Sequence, residues 1–134
     1  MEWDNNPGIS YQQNVANVLQ LVSFCKAWNI VVVFLSSDGV FDGNKGHYSE
    51  EDRPNPIHQY GVYKAVIENN IRASSDQHLI FRFGKVLDDS LGRRTLLVNI
   101  VNSLRQNKQI SLAYDQTLTP IHINYLVEGI TKVM

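Results

Sequence analysis

Apolar residues recur at helical spacing near the start of the chain and then run together in a short block. Between residues 10 and 28 they lie on one stripe of a helix, at Val15, Val18, Leu19, Val22 and Cys25. We therefore predict a helix over 10–28, with Ser10 as its N-cap. The block 30–35 follows, and because it is apolar on both faces it predicts a central parallel strand covered by helices on each side.

Further along the chain, helical and extended patterns alternate. We predict helices over 58–73, over 93–107 and from 124 to the end, and strands over 78–82 and 110–113. This alternation predicts an α/β fold with a mostly parallel sheet. At 134 residues, with 43% hydrophobic residues, the chain has enough apolar content for one core, so we expect residues 1–134 to form a single domain.

A long polar segment, 36–57, separates the strand over 30–35 from the next helix. Glycines and prolines mark turns along it, and an irregular segment of this length inside a compact domain often serves a function. Ser36, Ser37 and Asp38 directly follow the strand. Because ligands of open α/β sheets bind beyond the carboxyl ends of the strands, these side chains are candidates for a site.

Tyr60 and Lys64 are four residues apart on the next predicted helix, so their side chains share one face. Tyr63 points roughly 100° away from Lys64 and is the poorer partner. A phenol has an ordinary pKa near 10, and a nearby ammonium favours its phenolate form. Tyr60 is therefore a candidate proton donor, and a hydroxyl such as that of Ser37 is suited to hydrogen-bond a substrate carbonyl. Taken singly, these residues also fit a turn, a cap and a chance pair.

Composition narrows the classes of partner. The formal net charge is −1 and the pI about 6.4, so we expect neither nucleic acid nor an anionic membrane surface as a partner. No apolar run is long enough to span a bilayer, and the single cysteine fits a reducing, cytoplasmic setting. The four histidines lack the paired spacing of metal ligands, so we predict no metal site.

The order of motifs in "SSDGVFDGNKGHYSEEDRPNPIHQYGVYK" resembles that of the extended short-chain dehydrogenase/reductases, in their dTDP-4-dehydrorhamnose reductase branch. That branch reads Ser-Thr-Asp-Tyr-Val-Phe-Asp-Gly, then Tyr-x-Glu-x-Asp-x-Pro-x-Pro, then Tyr-Gly-x-x-Lys. The strand "HLIFRFGKVL" and the segment "YDQTLTPIHINYLVEGI", with Asp115, Gln116 and Pro120, are also similar to the family. The resemblance covers nearly the whole chain and implies a partial Rossmann-like, doubly wound fold.

The resemblance also implies roles for single residues. Tyr60 would protonate the keto oxygen of a nucleotide-linked keto sugar, Ser37 would orient that carbonyl, and Lys64 would hold the ribose of an NAD or NADP cofactor and lower the pKa of Tyr60. Asp38 and Gly39 would lie beside the substrate. Ser36 and Phe83, together with Tyr60 and Lys64, would contact the cofactor.

This sequence departs from the family pattern in three places. A glycine-rich cofactor turn is not present, since Gly43-Asn-Lys-Gly46 opens no helix, and we interpret the chain as a fragment lacking the nucleotide-binding half. Gly39 stands where the family has a tyrosine. Phe83-Gly84-Lys85 stands where the family often has Thr-Ser-Trp. The last two changes leave the exact keto sugar open.

Two alternatives to a reductase remain at this point. One is a non-catalytic nucleotide-binding or regulatory subunit with the same fold, and the other is a sugar-nucleotide epimerase or dehydratase, which shares the Tyr-Lys chemistry. The sequence also leaves open the choice between NAD and NADP. For the isolated chain we predict little cofactor affinity, no independent activity, and self-association through surface that a longer protein would cover.

Overall fold

The computed structural model describes residues 6–74, 77–88, 96–115 and 117–134. The chain divides into two compact units, residues 1–82 and residues 83–134, and each is described by itself. The single-domain prediction stays a prediction. Within the units, strands pair in parallel and alternate with helices, which confirms the predicted α/β, Rossmann-like fold class.

The first unit begins with a helix that continues through three segments. They are α1 (Pro7–Tyr11), a π-helical turn (Gln12–Ala16) and α2 (Asn17–Ala27). The prediction of Ser10 as N-cap was wrong: the side chain of Asn6 accepts a hydrogen bond from the Ile9 amide at 3.3 Å, and Pro7 occupies the first helical position. Ser10 lies one turn later and is buried.

Strands β1 (Val32–Leu35) and β2 (His78–Phe81) flank helix α3 (Gln59–Ser74) in the sequence and pair in parallel, with Val32 opposite His78 and Leu35 opposite Phe81. A short 3₁₀ turn (Asp38–Val40) follows β1. Alternate strand residues such as Phe34 and Ile80 pack against a core shared by the long helices. Its buried members are Val15, Val22, Tyr63, Ile67 and Ile71.

The prediction of a central strand over 30–35 needs correction. Ile30 and Val31 precede the strand and are 47% and 53% exposed. Among the described residues β1 pairs on one side alone, with β2, so it is not a central strand there, and none of its four residues is fully buried. An unbroken apolar run does not by itself reveal which neighbours cover it.

The second unit contains β3 (Val86–Leu87), α4 (Leu96–Arg105), β4 (Ile121–His122) and α5 (Ile123–Val133), with β3 and β4 paired in parallel. The predicted strand over 110–113 was wrong: these residues form no strand, and residues 111–113 are exposed. The β3 and β4 strands were not predicted because two residues are too short for a periodic pattern. The predicted start of a helix at Arg93 lies outside the described residues, as does Gln116.

Candidate functional site

The end of β1 and the start of α3 meet at one place in the first unit. We call residues 35–39 and 58–64 together the strand–helix corner. The Ser36 amide donates to the carbonyl of Phe81 at 2.7 Å, which extends the sheet by one bond. Ser36 is 2% exposed, and among the described residues its hydroxyl has no hydrogen-bond partner. A buried polar atom in this state has a desolvation cost that a further partner would relieve.

Ser37 caps the 3₁₀ turn that follows the strand. Its hydroxyl accepts from the Gly39 amide at 3.1 Å and donates to the carboxylate of Asp38 at 3.1 Å. The side chain is half-buried, while Asp38 is exposed. The turn therefore holds the Ser37 hydroxyl at the surface of the corner, next to a negative charge.

Two glycines allow α3 to pack directly on this turn. A Cβ added to Gly61 would overlap the carbonyl oxygen of Gly39 and lie 2.9 Å from Cβ of Pro56. A Cβ added to Gly39 would lie 2.9 Å from Cε1 of His58. The close contact between α3 and the turn therefore requires a glycine at position 61. The side chain of His58 fills the space beside Gly39.

His58 was not singled out from the sequence. Its Nδ1 accepts from the Gly61 amide at 3.0 Å, so it satisfies one of the free N–H groups at the start of α3. Its ring lies 6.2 Å from the ring of Tyr60, centroid to centroid. The imidazole of His58 therefore lies beside position 39, where the family pattern described above has a tyrosine.

Tyr60 and Lys64 lie on one face of α3, as their spacing predicts. The ammonium of Lys64 is 5.6 Å from the centre of the Tyr60 ring and 4.7 Å from that of Phe34, and it donates to the carbonyl of Leu35 at 2.8 Å. Tyr60 is 42% exposed. Tyr63, in contrast, is buried in the core and packs edge-on against Tyr11. Tyr60 is therefore the phenol that a ligand can reach.

Burial lowers the pKa of Lys64, and the negative charge of Glu68, one helical turn further on, raises it in part. Desolvation disfavours the charged ammonium, whereas a nearby carboxylate favours it. Lys64 therefore places a positive charge near the Tyr60 ring. Its hydrogen bond to the Leu35 carbonyl fixes that charge at the carboxyl end of β1. The corner holds a hydroxyl, a phenol and an ammonium, which can together donate a proton and stabilise negative charge on a bound oxygen.

An ion pair behind the corner was also missed from the sequence. Glu68 is fully buried on α3 and accepts from Nε of Arg82 at 3.1 Å and from its Nη2 at 2.6 Å. Arg72 approaches the same carboxylate at 3.6 Å. The sequence held part of the signal, because Glu68 follows Gly61 and Ala65 at helical spacing, but it did not reveal the partner of Glu68.

Several residues that carry the resemblance hold the 41–55 loop rather than the corner. Asp42 accepts from the hydroxyl of Tyr48, from the Asn44 amide at 2.9 Å and from the Asn55 side chain at 2.8 Å. These bonds, that of Tyr48 first, lower the pKa of Asp42 to about 2. The hydrogen bond from Lys45 and then that from the Ser49 amide lower the pKa of Asp52.

Phe83, the remaining predicted cofactor contact, belongs to the second unit, so its role stays a prediction. That unit contains a cavity of about 200 Å³ lined mainly by Leu87, Leu97, Val98 and Val101. Within the described residues, no helix has both the length and the apolar character needed to cross a membrane.

Two curated relatives illustrate what this chain is similar to. Methionine adenosyltransferase 2 subunit beta of Bos taurus is 40% identical over 76 residues, which cover 53% of this chain and 23% of the relative. The probable low-salt glycan biosynthesis reductase Agl14 of Haloferax volcanii is 31% identical over 122 residues, which cover 87% of this chain and 40% of the relative. The chain therefore spans well under half the length of these relatives.

Solved structures match nearly the whole chain. A hypothetical dTDP-4-dehydrorhamnose reductase from Sulfolobus tokodaii superposes with a TM-score of 0.84 at 29% identity, covering 98% of this chain and 46% of that one. A dTDP-4-dehydrorhamnose reductase from Bacillus anthracis, in complex with NADP, gives a TM-score of 0.86 at 20% identity, with coverages of 98% and 47%.

The family described as the RmlD substrate binding domain matches residues 3–134. This match agrees with the motif order of the 36–64 segment and with the superpositions, and it confirms the resemblance drawn from the sequence. The chain belongs to the RmlD substrate binding domain family.

Proposed function

We propose that this chain carries the catalytic segment of an NAD(P)H-dependent reductase acting on a nucleotide-linked 4-keto sugar. The observation that carries the proposal is the position of Lys64, whose ammonium lies 5.6 Å from the Tyr60 ring and is bonded to the last carbonyl of β1. This arrangement sits where parallel sheets bind ligands. Family membership supports a reductase acting on a sugar nucleotide.

Tyr60 is the proposed proton donor. When the keto carbon is reduced, the carbonyl oxygen gains negative charge and takes the phenolic proton of Tyr60. The phenolate that remains is favoured by the positive charge of Lys64 on the same face of α3. Lys64 is itself held in place by the Leu35 carbonyl, so the charge is pre-positioned before substrate binds.

Ser37 is the proposed second hydrogen-bond donor to the substrate carbonyl. In the structure its hydroxyl donates to Asp38. A serine hydroxyl rotates freely about its C–O bond, so the same proton can turn to a bound carbonyl oxygen. Asp38 and Gly39 would then border the sugar, with His58 beside Gly39 as the nearest ring.

The residues of the corner fit the nicotinamide end of a cofactor. Lys64 has three N–H donors, of which one reaches the Leu35 carbonyl, so it retains donors for ribose hydroxyls. When bound, the nicotinamide ring supplies the hydride. The buried hydroxyl of Ser36 belongs to the same corner and is a further proposed cofactor contact. The sequence offers no glycine-rich turn for the pyrophosphate, so we assign those phosphates to none of these residues.

The relatives support the cofactor class and the substrate class. The Bacillus anthracis structure is described as a complex with NADP, and both solved structures are described as dTDP-4-dehydrorhamnose reductases. Agl14 is described as a probable reductase of glycan biosynthesis. We carry these descriptions to this chain as part of the proposal.

The test is oxidation of NADPH or NADH in the presence of nucleotide-linked 4-keto sugars, measured on the longest natural polypeptide that contains this chain. Tyr60→Phe should lower kcat by about 10²–10⁴-fold. Tyr63→Phe is the matched control, because that phenol is buried in the core, and it should leave kcat within a few-fold of the parent. Equal rates for the parent and Tyr60→Phe would refute the assignment of the proton donor.

A second candidate is a non-catalytic subunit with the same fold. The relative that is 40% identical is described as the beta subunit of methionine adenosyltransferase 2, and Gly39 stands where the family pattern has a tyrosine. Isothermal titration of the same polypeptide with NADPH separates the two candidates. Cofactor binding without turnover of any keto sugar would favour the subunit. Interconversion of sugar epimers without net cofactor oxidation would favour an epimerase.

A further inference from the structure

Arg82 lies just beyond the end of β2, and its guanidinium contacts two parts of the first unit that are distant in sequence. On one side it forms a two-pronged hydrogen bond with Glu68, through Nε at 3.1 Å and Nη2 at 2.6 Å. The side chain of Glu68 is 0% exposed and that of Arg82 is 11% exposed. A planar guanidinium in this geometry fixes direction as well as distance, which a flexible ammonium does not.

On its other side Arg82 contacts the 41–55 loop. Its guanidinium carbon lies 4.9 Å from the centre of the Phe41 ring, which is the distance of a cation–π contact. Phe41 stacks on Tyr48 with centroids 4.2 Å apart and planes 9° from parallel. Tyr48 in turn donates to Asp42, whose carboxylate also holds Asn55. One cation therefore touches both α3 and the ring stack that organises the loop.

The contacts of Arg82 bear on the corner because both of its partners are close to corner residues in sequence. Glu68 is one helical turn beyond Lys64 on α3. Phe41 directly follows the 3₁₀ turn that Ser37 caps, and the Asn55 amide donates to the carbonyl of Val40 at 2.9 Å. Moving Arg82 would therefore remove a link between α3 and the segment that follows the turn.

We propose that Arg82 is a positioning residue that clamps helix α3 to the 41–55 loop and thereby fixes Lys64 relative to Ser37. Its importance for catalysis rests on the proposed function, but the clamp itself is a property of the first unit. The clamp acts through Glu68 and Phe41, and Arg82 makes no contact with the reacting atoms in this scheme.

The test reads the position of Lys64 by NMR, without cofactor or turnover. Because the Lys64 ammonium lies over the Phe34 ring and near the Tyr60 ring, the ring currents shift its ε-methylene protons from their exposed value. Arg82→Met should move this signal towards the exposed value. It should also speed amide hydrogen exchange of residues 41–55 at least about tenfold relative to amides of α2 in the same sample.

Arg72→Met is the matched control. It removes a guanidinium from the same Glu68 carboxylate, but the Arg72 side chain is 41% exposed and lies 3.6 Å from that carboxylate. The Lys64 signal and loop exchange should match those of the unmodified chain. If Arg82→Met folds and gives the same result as Arg72→Met, the clamp is refuted.

A second variant covers the case in which Arg82→Met does not fold. Phe41→Leu retains the Glu68 pair and removes the aromatic face that Arg82 contacts, so exchange in the loop should rise and the Lys64 signal should move in the same direction as in Arg82→Met, by a smaller amount. Unchanged loop exchange in Phe41→Leu would overturn the proposal. None of these readouts needs turnover. A failure of the reductase proposal would therefore appear in the activity assay, and a failure of the clamp would appear in the NMR and hydrogen-exchange measurements.

Discussion

The 41–55 loop and the strand–helix corner are both polar, but they use their hydrogen-bonding groups to different extents. In the loop, Asp42 accepts three hydrogen bonds and Asp52 is bonded to Lys45 and Ser49. In the corner, the Ser36 hydroxyl is buried with no partner among the described residues, and the ammonium of Lys64 is partly desolvated.

The comparison of the loop with the corner distinguishes two reasons why a sequence motif contains a polar residue. Polar groups whose bonds are all made within the chain stabilise one backbone path, which is the role of Asp42 in the loop. Polar groups that are buried yet incompletely bonded carry a free-energy cost, and such groups concentrate at ligand sites. By this criterion the Ser36 hydroxyl marks the corner as the place for a ligand, next to the proposed catalytic residues Ser37, Tyr60 and Lys64.

The largest effect is expected where the two regions are joined. Glu68→Gln removes the carboxylate that neutralises Arg82 inside the protein, and we expect a loss of about 3 kcal/mol in the free energy of unfolding. Glu128→Gln is the control, because its pair with Lys132 is largely exposed and should contribute about 0.5 kcal/mol or less. Urea denaturation measures the free energy of unfolding of both variants. Equal losses in the two variants would show that the buried pair does not hold the loop and the corner together.

The next effect tests the packing of the corner itself. Gly61→Ala places a methyl group against the Gly39 carbonyl, and neither backbone can yield easily, so we expect a loss of about 2 kcal/mol. Gly129→Ala on α5 meets no atom within 4 Å and should stabilise its helix by about 0.5–1 kcal/mol. Thermal unfolding followed by circular dichroism compares the two, and a stable Gly61→Ala variant would mean that α3 does not rest on the turn.

The same contrast explains how much the sequence could predict. Local patterns were sufficient for α3, for β2 and for the shared face of Tyr60 and Lys64, because helical spacing decides which side chains are neighbours. They were insufficient for the partner of Glu68, since a buried ion pair joins residues 14 positions apart and leaves no periodic signal. The Ser10 cap failed for a simpler reason: Asn6 followed by Pro7 is a stronger start signal than a later serine.

A smaller effect is expected from loosening the loop alone. Tyr48→Phe removes the strongest of the bonds that hold the pKa of Asp42 at about 2, so this pKa should rise towards its ordinary value of 3.8. A lowered carboxyl pKa stabilises the fold above the ordinary value, and this contribution is lost as the pH falls towards 2. The stability advantage of the parent over Tyr48→Phe should therefore shrink below pH 3.8. Carboxyl ¹³C titration of Asp42 measures it, and an unchanged pKa would contradict the hydrogen-bond assignment.

The smallest effect concerns the corner, and it has the same sign with pH as that of Asp42 but lies in an alkaline window. Because burial lowers the pKa of Lys64 below 10.5, the folded chain releases this proton more readily than the unfolded chain. Its contribution to stability should therefore rise as the pH increases from the lowered pKa to 10.5, just as that of Asp42 rises as the pH increases from about 2 to 3.8. Glu68→Gln should lower the Lys64 pKa further, because the carboxylate that favours the ammonium is removed. Titration of the Lys64 ε-carbon by NMR tests both statements. A pKa at or above the ordinary lysine value would contradict the burial of Lys64 against β1, and with it the pre-positioned charge on which the proposed proton transfer from Tyr60 rests.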